Sequence, residues 1–204
     1  DQFVIKPSLE SGGGNNVKFF SLKENKYINS EGHLLTFKTM QQLFKKNYIL
    51  QKIIQQHEFF SQLNESSLNT LKVFTYRSVI SNHIEILHSI LRVGAKGERV
   101  DNFRAGGYSI GIDASGKLNN YACTKDGKKF EKVNEINLES NQLMIPFFES
   151  IKQTAVAIAS KNIYHRLLGL DMTIDYENKI CCLEVNNDFN EINFFQFNNG
   201  SLFG

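Results

Sequence analysis

Three oxygen-bearing side chains near the end of the chain are of the types that bind a hard metal ion. Asp171 lies in one predicted strand, and Glu184 and Asn186 lie in the next. Alternation puts Glu184 and Asn186 on one face, and a hairpin brings Asp171 beside them. Two carboxylates and an amide suit Mg²⁺. The alternative is an edge hairpin with exposed acids, but both acids follow apolar residues, where an unpaired carboxylate is unfavourable.

A lysine followed by a glycine-rich loop near the start of the chain is suited to phosphate. Lys6 ends a strand predicted over residues 2–6, and residues 8–16 form the loop. The loop residues assigned to phosphate are Ser11, Gly12, Gly13 and Gly14. Glycines let backbone amides approach phosphate oxygens, and a lysine supplies a point charge. The pattern is neither a P-loop nor a dinucleotide fingerprint, and a flexible hairpin tip is the alternative.

An apolar strand predicted over residues 48–54 runs into polar residues, a pattern that can serve an adenosine. Main-chain groups at the end of the strand can contact an adenine edge, and a following carboxylate can accept from a ribose hydroxyl. The segment runs from residue 47 to residue 58, and Glu58 is the carboxylate that follows the strand. A core strand with a solvated end is the alternative.

Two basic residues lie on a predicted pair of strands, over residues 68–76 and 83–93. Lys72 and Arg92 occupy these strands, and Asn102 follows in a loop. Cations aimed from rigid strands toward one point are what a transferring phosphoryl group requires. Lone basic residues on strands are otherwise usually solvated.

The elements that must position these residues form a mixed α+β pattern with mostly antiparallel sheet. Residues 1–56 predict a small β-rich lobe and residues 57–204 a larger one. Helices are predicted over residues 36–46 and from Pro146 onward, where apolar residues recur at spacings of three and four. Residues 124–142 are predicted to be irregular, and the tail after residue 187 shows no periodicity.

Composition narrows the class of protein. The 204 residues carry 23 basic and 21 acidic side chains, so the formal charge of +2 predicts neither a nucleic-acid nor a membrane partner. The three cysteines lack zinc spacing and are expected to be reduced apolar filler. No apolar run reaches the roughly 20 residues of a membrane span, and no signal peptide is visible. A cytoplasmic location is expected.

The order of these four groups resembles the ATP-grasp superfamily over nearly the whole chain. The motifs S-L-N-T-L-K-V-F-T, L-R-V-G and V-D-N-F-R-A-G-G look like its branch associated with sugar-transfer and polysaccharide loci. The resemblance implies an ATP-grasp fold in which two antiparallel β lobes with flanking helices grip ATP between them. It implies that Asp171, Glu184 and Asn186 bind Mg²⁺ and that Lys6 binds phosphate. It also implies that the adenine-binding segment consists of Gln51, Lys52, Ile53 and Ile54. Arg92 and Asn102 match polar positions near the transferred phosphate.

The same resemblance, which extends to glutamate ligases, implies an activity. The expected reaction is ATP- and Mg²⁺-dependent ligation of a carboxylate to an amine through an acylphosphate, in polysaccharide or sugar-conjugate synthesis. The acceptor is unidentified, and the oligomeric state is unassigned. The alternatives are a phosphotransferase acting on a sugar or polymer hydroxyl, and a catalytically inactive nucleotide-binding module. The family also carries an upstream segment with another ATP-contacting lysine, so the chain is expected to be a fragment.

Overall fold

The computed structural model describes residues 2–8, 16–97, 101, 106–188 and 192–202. The chain divides into two compact units, Asp1–Ile54 and Gln55–Gly204. Both contain antiparallel sheet with a few helices, so the predicted α+β class is confirmed. The structural division falls after residue 54, and the division predicted from the sequence falls after residue 56.

The first unit is a four-stranded antiparallel sheet with one helix. Its elements are β1 (Gln2–Pro7), β2 (Lys18–Lys23), β3 (Lys26–Asn29), α1 (Phe37–Phe44) and β4 (Tyr48–Lys52), with strand order β3-β2-β1-β4. The Thr36 hydroxyl accepts from the backbone N–H of Thr39 at 3.1 Å and so caps α1. Ile5, Phe20 and Phe44 form the core of this unit.

The second unit is built on a seven-stranded antiparallel sheet, and its elements begin at residue 58. They are α2 (Glu58–Leu63), β5 (Thr70–Arg77), β6 (Ile84–Val93), β7 (Tyr108–Ile112), β8 (Leu118–Cys123), β9 (Lys129–Phe130), β10 (Lys132–Val133), β11 (Ile136–Asn137), α3 (Leu138–Asn141), α4 (Phe148–Lys161), β12 (Leu167–Ile174), β13 (Ile180–Asn186) and α5 (Ile192–Asn199). The strand order is β13-β12-β5-β6-β7-β8-β9, so β12, although late in the chain, lies directly beside β5.

The two faces of this sheet are buried differently. One face carries the main core, in which Leu71, Leu91 and Leu170 pack with Phe148 and Ile151 of α4. On the opposite face, Phe74 and Ile90 pack with Phe195 of α5. Side chains alternate along a strand. Lys72, two positions before Phe74 on β5, and Arg92, two positions after Ile90 on β6, therefore lie on the α5 face.

Two sequence-based expectations for this unit are wrong, and its tail contains a helix that the sequence pattern does not predict. Helix α4 begins at Phe148 rather than Pro146, because Phe147 adopts a left-handed conformation with φ 53°. Residues 124–142 are not irregular, because they contain short strands and α3. The pairing of β10 with β11 spans two residues, which is too short for a periodic sequence pattern. The tail contains α5, which is held in place by tertiary packing rather than by its own pattern.

Candidate active site

A buried group of charged side chains occupies the α5 face of the large sheet. Lys72 lies on β5, Arg92 on β6 and Asp171 on β12, three strands that are adjacent in the sheet. Asp171 is directly opposite Lys72 in the β12–β5 register, and Thr70 is opposite Arg92 in the β5–β6 register. Antiparallel register therefore brings together two predicted phosphate-stabilising cations and one predicted metal ligand.

Arg92 is held by hydrogen bonds on two sides. Its Nε and Nη2 atoms donate to Thr70 Oγ1 at 3.0 and 2.8 Å, and Nη2 donates to Asp171 Oδ2 at 2.9 Å. Arg92 Nε also lies 3.3 Å from Asp101 Oδ2, which the Thr70 hydroxyl contacts through a short hydrogen bond. A planar guanidinium bound at several points keeps a fixed orientation.

Lys72 and Asp171 form the second ion pair of the group. Lys72 is 5% exposed and Asp171 is 7% exposed, and Lys72 Nζ lies 3.8 Å from Asp171 Oδ1. Charges this buried are stable only when they are paired. Asp171 Oδ1 itself accepts no hydrogen bond and is inaccessible to water. One buried carboxylate oxygen therefore has capacity to bind a further cation.

Asp101 lies beside Arg92 and has a perturbed acidity. Burial raises the pKa of the Asp101 carboxyl above its ordinary value, and the negative charge of Asp171 acts in the same direction. The Arg92 guanidinium and the Thr70 hydroxyl oppose this shift because they stabilise the carboxylate. Asp101 thus sits where its ionisation depends on the charges around Arg92.

The two remaining predicted metal ligands lie on β13, the edge strand of the sheet. Glu184 is directly opposite Asp171, and Asn186 is opposite Gly169. Glu184 is exposed, which corrects the expectation that its apolar neighbours bury it. Among the described strands, β13 has a neighbour on one side only, so its outer side meets solvent. Asn186 is half-buried, and its Nδ2 atom is buried without a hydrogen-bond partner.

These donors fit a magnesium ion. Asp171 Oδ1 lacks a hydrogen-bond partner, and Glu184 is its cross-strand neighbour. A flip of the Asn186 amide exchanges its unpartnered nitrogen for an oxygen. Among the residues with described positions, no group of three His, Cys, Asp or Glu side chains is arranged to hold a metal. Two carboxylates still suffice for Mg²⁺, because substrate phosphates and water complete its coordination.

The other predicted site residues fall on different parts of the chain. Lys6 lies on β1 opposite Ile49, and both residues belong to the first unit. The predicted adenosine segment is there too: Gln51 and Lys52 end β4, and Ile53 and Ile54 follow it. Glu58 is the exposed first residue of α2 in the second unit. Their assignment to ATP stays a prediction.

Five predicted site residues lie outside the described positions. These are Ser11, Gly12, Gly13, Gly14 and Asn102. Thr70, in contrast, contacts Arg92 but is absent from the predicted site, and Asp101, which contacts Arg92 from the same predicted loop as Asn102, has no assigned role there. Thr70 carries a usable signal, since it precedes Lys72 by two positions and so shares its face of the strand. Asp101 lies in a loop, where alternation gives no such signal.

The fold and a family match together define the class of protein. The mixed α+β fold with its antiparallel sheets and few helices is consistent with an ATP-grasp domain. Residues 1–204, the whole chain, match the family described as sugar-transfer associated ATP-grasp, and the chain belongs to that family. The suspected resemblance is therefore confirmed, and ATP binding follows from membership of this family.

The other comparisons are sparse. One similar solved structure is a RiPP-associated ATP-grasp ligase from Chryseobacterium gregarium, in complex with ADP and with a leader and core peptide. It shares 11% identity with a TM-score of 0.35, and the match covers 97% of this chain and 45% of that chain. The chain thus spans less than half of that ligase. No curated protein matches this chain. No helix among the described residues is long and apolar enough to cross a membrane.

Proposed function

We propose that this chain is the nucleotide-binding part of an ADP-forming ligase that uses Mg²⁺ and ATP. The ligase would join a carboxylate to an amine through an acylphosphate, in the synthesis of a cell-surface polysaccharide or sugar conjugate. The observation that carries the proposal is the buried contact of Arg92 and Lys72 with Asp171 on three adjacent strands. The family description supports the link to sugar transfer.

The two cations are suited to stabilise charge on a transferring phosphoryl group. Arg92 and Lys72 project from central strands of the sheet, and the Thr70 hydroxyl fixes the orientation of the guanidinium. Donors that are already oriented need not reorganise as charge develops, which is the main source of electrostatic catalysis. Arg92 and Lys72 would thus hold the phosphoryl group in line with the attacking carboxylate of the substrate.

The carboxylates have a separate role in the proposal. Asp171 and Glu184 would hold Mg²⁺, with Asn186 as the third protein ligand. A Mg²⁺ ion held by these residues would supply positive charge that offsets the negative charge of the phosphates. No side chain of the protein has to act as a covalent nucleophile, since the attacking group belongs to the substrate.

The test compares Mg-ATP binding to the wild type and to the Glu184→Gln variant by isothermal titration calorimetry. Glutamine keeps the size of the side chain but removes its charge, so we expect Mg-ATP affinity to fall at least about tenfold, as for other changes around a bound metal. In EDTA, ATP affinity should be the same in both proteins. Equal Mg-ATP affinity in both proteins would remove Glu184 from the metal site.

The matched control is Glu177→Gln in the turn between β12 and β13. Glu177 is an exposed acid of the same hairpin, and its contact in the structure is with the neighbouring Tyr176 hydroxyl. This change should leave Mg-ATP affinity unchanged, because it removes the same charge outside the proposed site.

A separate assay tests the reaction type: trapping with hydroxylamine should yield a hydroxamate if the substrate carboxylate becomes an acylphosphate, whereas a phosphotransferase would yield a stable phosphate ester.

A further inference from the structure

Strand β6 extends well beyond its neighbour β7. Of its residues Ile84–Val93, only Ser89 to Val93 pair with β7, which ends at Ile112. The first half of β6 pairs with β5 on one side. On its other side, no strand of the described chain lies next to residues 84–88. The large sheet therefore has an internal step that leaves half of one strand edge open.

The free edge presents backbone hydrogen-bonding groups. The N–H of Ser78 donates to the carbonyl of His83 at 2.8 Å, whereas the N–H of Arg77 donates away from β6, to Arg166 at 2.7 Å. Hydrogen-bonded and non-hydrogen-bonded pairs alternate in an antiparallel ladder. The N–H and C=O groups of Ile84, opposite Arg77, and of Ile86, two positions on, must therefore point away from β5 toward the open edge.

A groove of about 1170 Å³ runs along this edge. Helix α4 packs on one face of the sheet and α5 on the other, so the edge lies between two helices. The groove is lined by β6, by α4, by the end of α5 and by the β7–β8 turn at Asp113 and Ala114. The side-chain amide of Asn199 donates to the carbonyl of Ser89 at 3.0 Å, at the position where β7 ends.

Three polar atoms on the groove-lining residues have no hydrogen-bond partner. They are Ser89 Oγ, Asn198 Oδ1 and His88 Nδ1. Ser89 is 3% exposed and Asn198 is 2% exposed, so water cannot satisfy these atoms. Burial lowers the pKa of the His88 imidazole, which keeps it neutral. A buried polar atom without a partner is destabilising, and these three belong to residues of the groove wall.

The charges of the groove favour a cationic ligand. Glu85, Asp113 and Glu149 are exposed carboxylates on its lining. The lysine of the lining, Lys152, pairs with Glu149 at 2.6 Å. Carboxylates therefore outnumber the lysine, and opposite charge on a ligand improves both its approach and its selectivity.

We propose that this groove binds an extended basic peptide of about five residues as an added strand beside β6. The N–H and C=O groups of Ile84 and Ile86 would pair with the peptide backbone, as in other complexes in which a peptide adds a strand to a sheet edge. The free stretch of five residues, 84–88, spans at most about 16 Å at roughly 3.3 Å per residue, and the register of β6 against β5 shifts between Ile86 and Ser89. Lysine or arginine side chains of the peptide would lie near Glu85 and Asp113, since Lys152 already pairs with Glu149.

The site is separate from the proposed nucleotide site. Ile84 and Arg92 are eight positions apart on one extended strand, which corresponds to roughly 26 Å. The peptide proposal therefore does not depend on the proposed function. Peptide binding and Mg-ATP binding are expected to respond to different substitutions.

The test uses the peptide acetyl-Lys-Val-Lys-Val-Lys-amide as the probe and backbone amide NMR of the full chain as the readout. Addition of the probe should give saturable shifts at Ile84 and Ile86, and the glutamate analogue should give none. Two analogues carry N-methyl groups on alternate amides, in complementary frames. One frame should lose affinity about tenfold and the other should not, because a strand pairs through every second residue.

A variant pair tests the protein side. Ile84→Pro removes an N–H that faces the groove, a change that an open strand edge tolerates, and should weaken the probe about tenfold. Ile84→Val keeps the N–H and should bind as the wild type does, and both variants should keep wild-type affinity for Mg-ATP. If neither methylation frame matters, if no shift saturates, or if neutral cellotetraose shifts these amides and the peptide does not, the proposal is overturned. The methylated peptides decide the matter if Ile84→Pro fails to fold.

Discussion

Replacing Asp171 with asparagine removes the negative charge between Arg92 and Lys72 while it keeps the shape of the side chain. Asp171 lies 2.9 Å from the Arg92 guanidinium and 3.8 Å from the Lys72 ammonium. Asp171 and Lys72 are 7% and 5% exposed, so water cannot compensate the lost charge. Breaking a buried ion pair on one side costs about 3–5 kcal/mol. Asparagine still accepts a hydrogen bond, and we expect a loss of about 3 kcal/mol, the lower end of that range.

The assay is reversible urea denaturation, supported by thermal melting. For a chain of this length, 1 kcal/mol corresponds to roughly 2–4 °C, so the melting temperature should fall by about 6–12 °C. The control is Asp126→Asn, which breaks the exposed pair of Asp126 with Lys128 at 3.6 Å. Exposed pairs contribute about 0–1 kcal/mol, so the control should melt close to the wild type.

A double variant shows whether the loss comes from unpaired charge. Lys72→Met removes one of the two cations that Asp171→Asn leaves unbalanced, and the double variant should be more stable than Asp171→Asn alone. The reasoning is refuted if Asp171→Asn unfolds within about 0.5 kcal/mol of the wild type, the range of ordinary surface changes. It is also refuted if adding Lys72→Met to Asp171→Asn restores no stability.

Three further predictions follow from the same sheet face. Arg92→Lys should lower the rate of ADP formation at least about tenfold, because lysine cannot reproduce the planar fork that contacts Thr70 and Asp171. Steady-state kinetics should show this lower rate together with an unchanged KM for ATP. Asp101→Asn should flatten the pH dependence of stability. The pKa of the Asp101 carboxyl is raised in the folded state, so the wild type should lose stability as pH rises from about 3.9, the ordinary pKa, toward the folded pKa. Urea denaturation of both proteins across about pH 4–8 measures the difference. Phe195→Ala should cost about 3–5 kcal/mol, because it removes the ring stacked on Phe74 at 3.8 Å between centroids; urea denaturation monitored by far-UV circular dichroism measures it.

The sequence pattern predicts which strands pair within a hairpin better than it predicts which distant strands lie side by side in the sheet. The pairing of Asp171 with Glu184, and of β5 with β6, follows from alternation in strands that are adjacent in sequence. The contact of Asp171 with Lys72 does not, because it joins strands roughly a hundred residues apart and depends on the order β12-β5-β6. Local periodicity carries no information about which distant strand becomes a neighbour.

The errors in the sequence interpretation have the same origin. Apolar neighbours suggested a buried Glu184, but burial depends on whether another strand flanks β13, and in this sheet none does among the described residues. Helix α5 has a weak amphipathic pattern, and it is held by Phe195 on Phe74 and by the Asn198 amide, which donates to Ser109 Oγ at 2.8 Å. Tertiary contacts of this kind override local propensity.

Asp171 has two roles: it pairs with Lys72 and Arg92 in the structure, and it is proposed to bind Mg²⁺. One carboxylate cannot compensate all of these positive charges at the same time. In the structure, Lys72 and Arg92 face Asp101 and Asp171, so two cations meet two carboxylates. A phosphate that approaches these cations competes with Asp171 for them, and repulsion would oppose binding if Asp171 kept its charge uncompensated. Mg²⁺ held by Asp171 and Glu184, as proposed, would remove that conflict, because it would compensate the carboxylates and leave the two cations to the phosphate. On this proposal the metal would make the buried ion pairs compatible with ATP, and ATP should bind much more weakly in EDTA than with Mg²⁺.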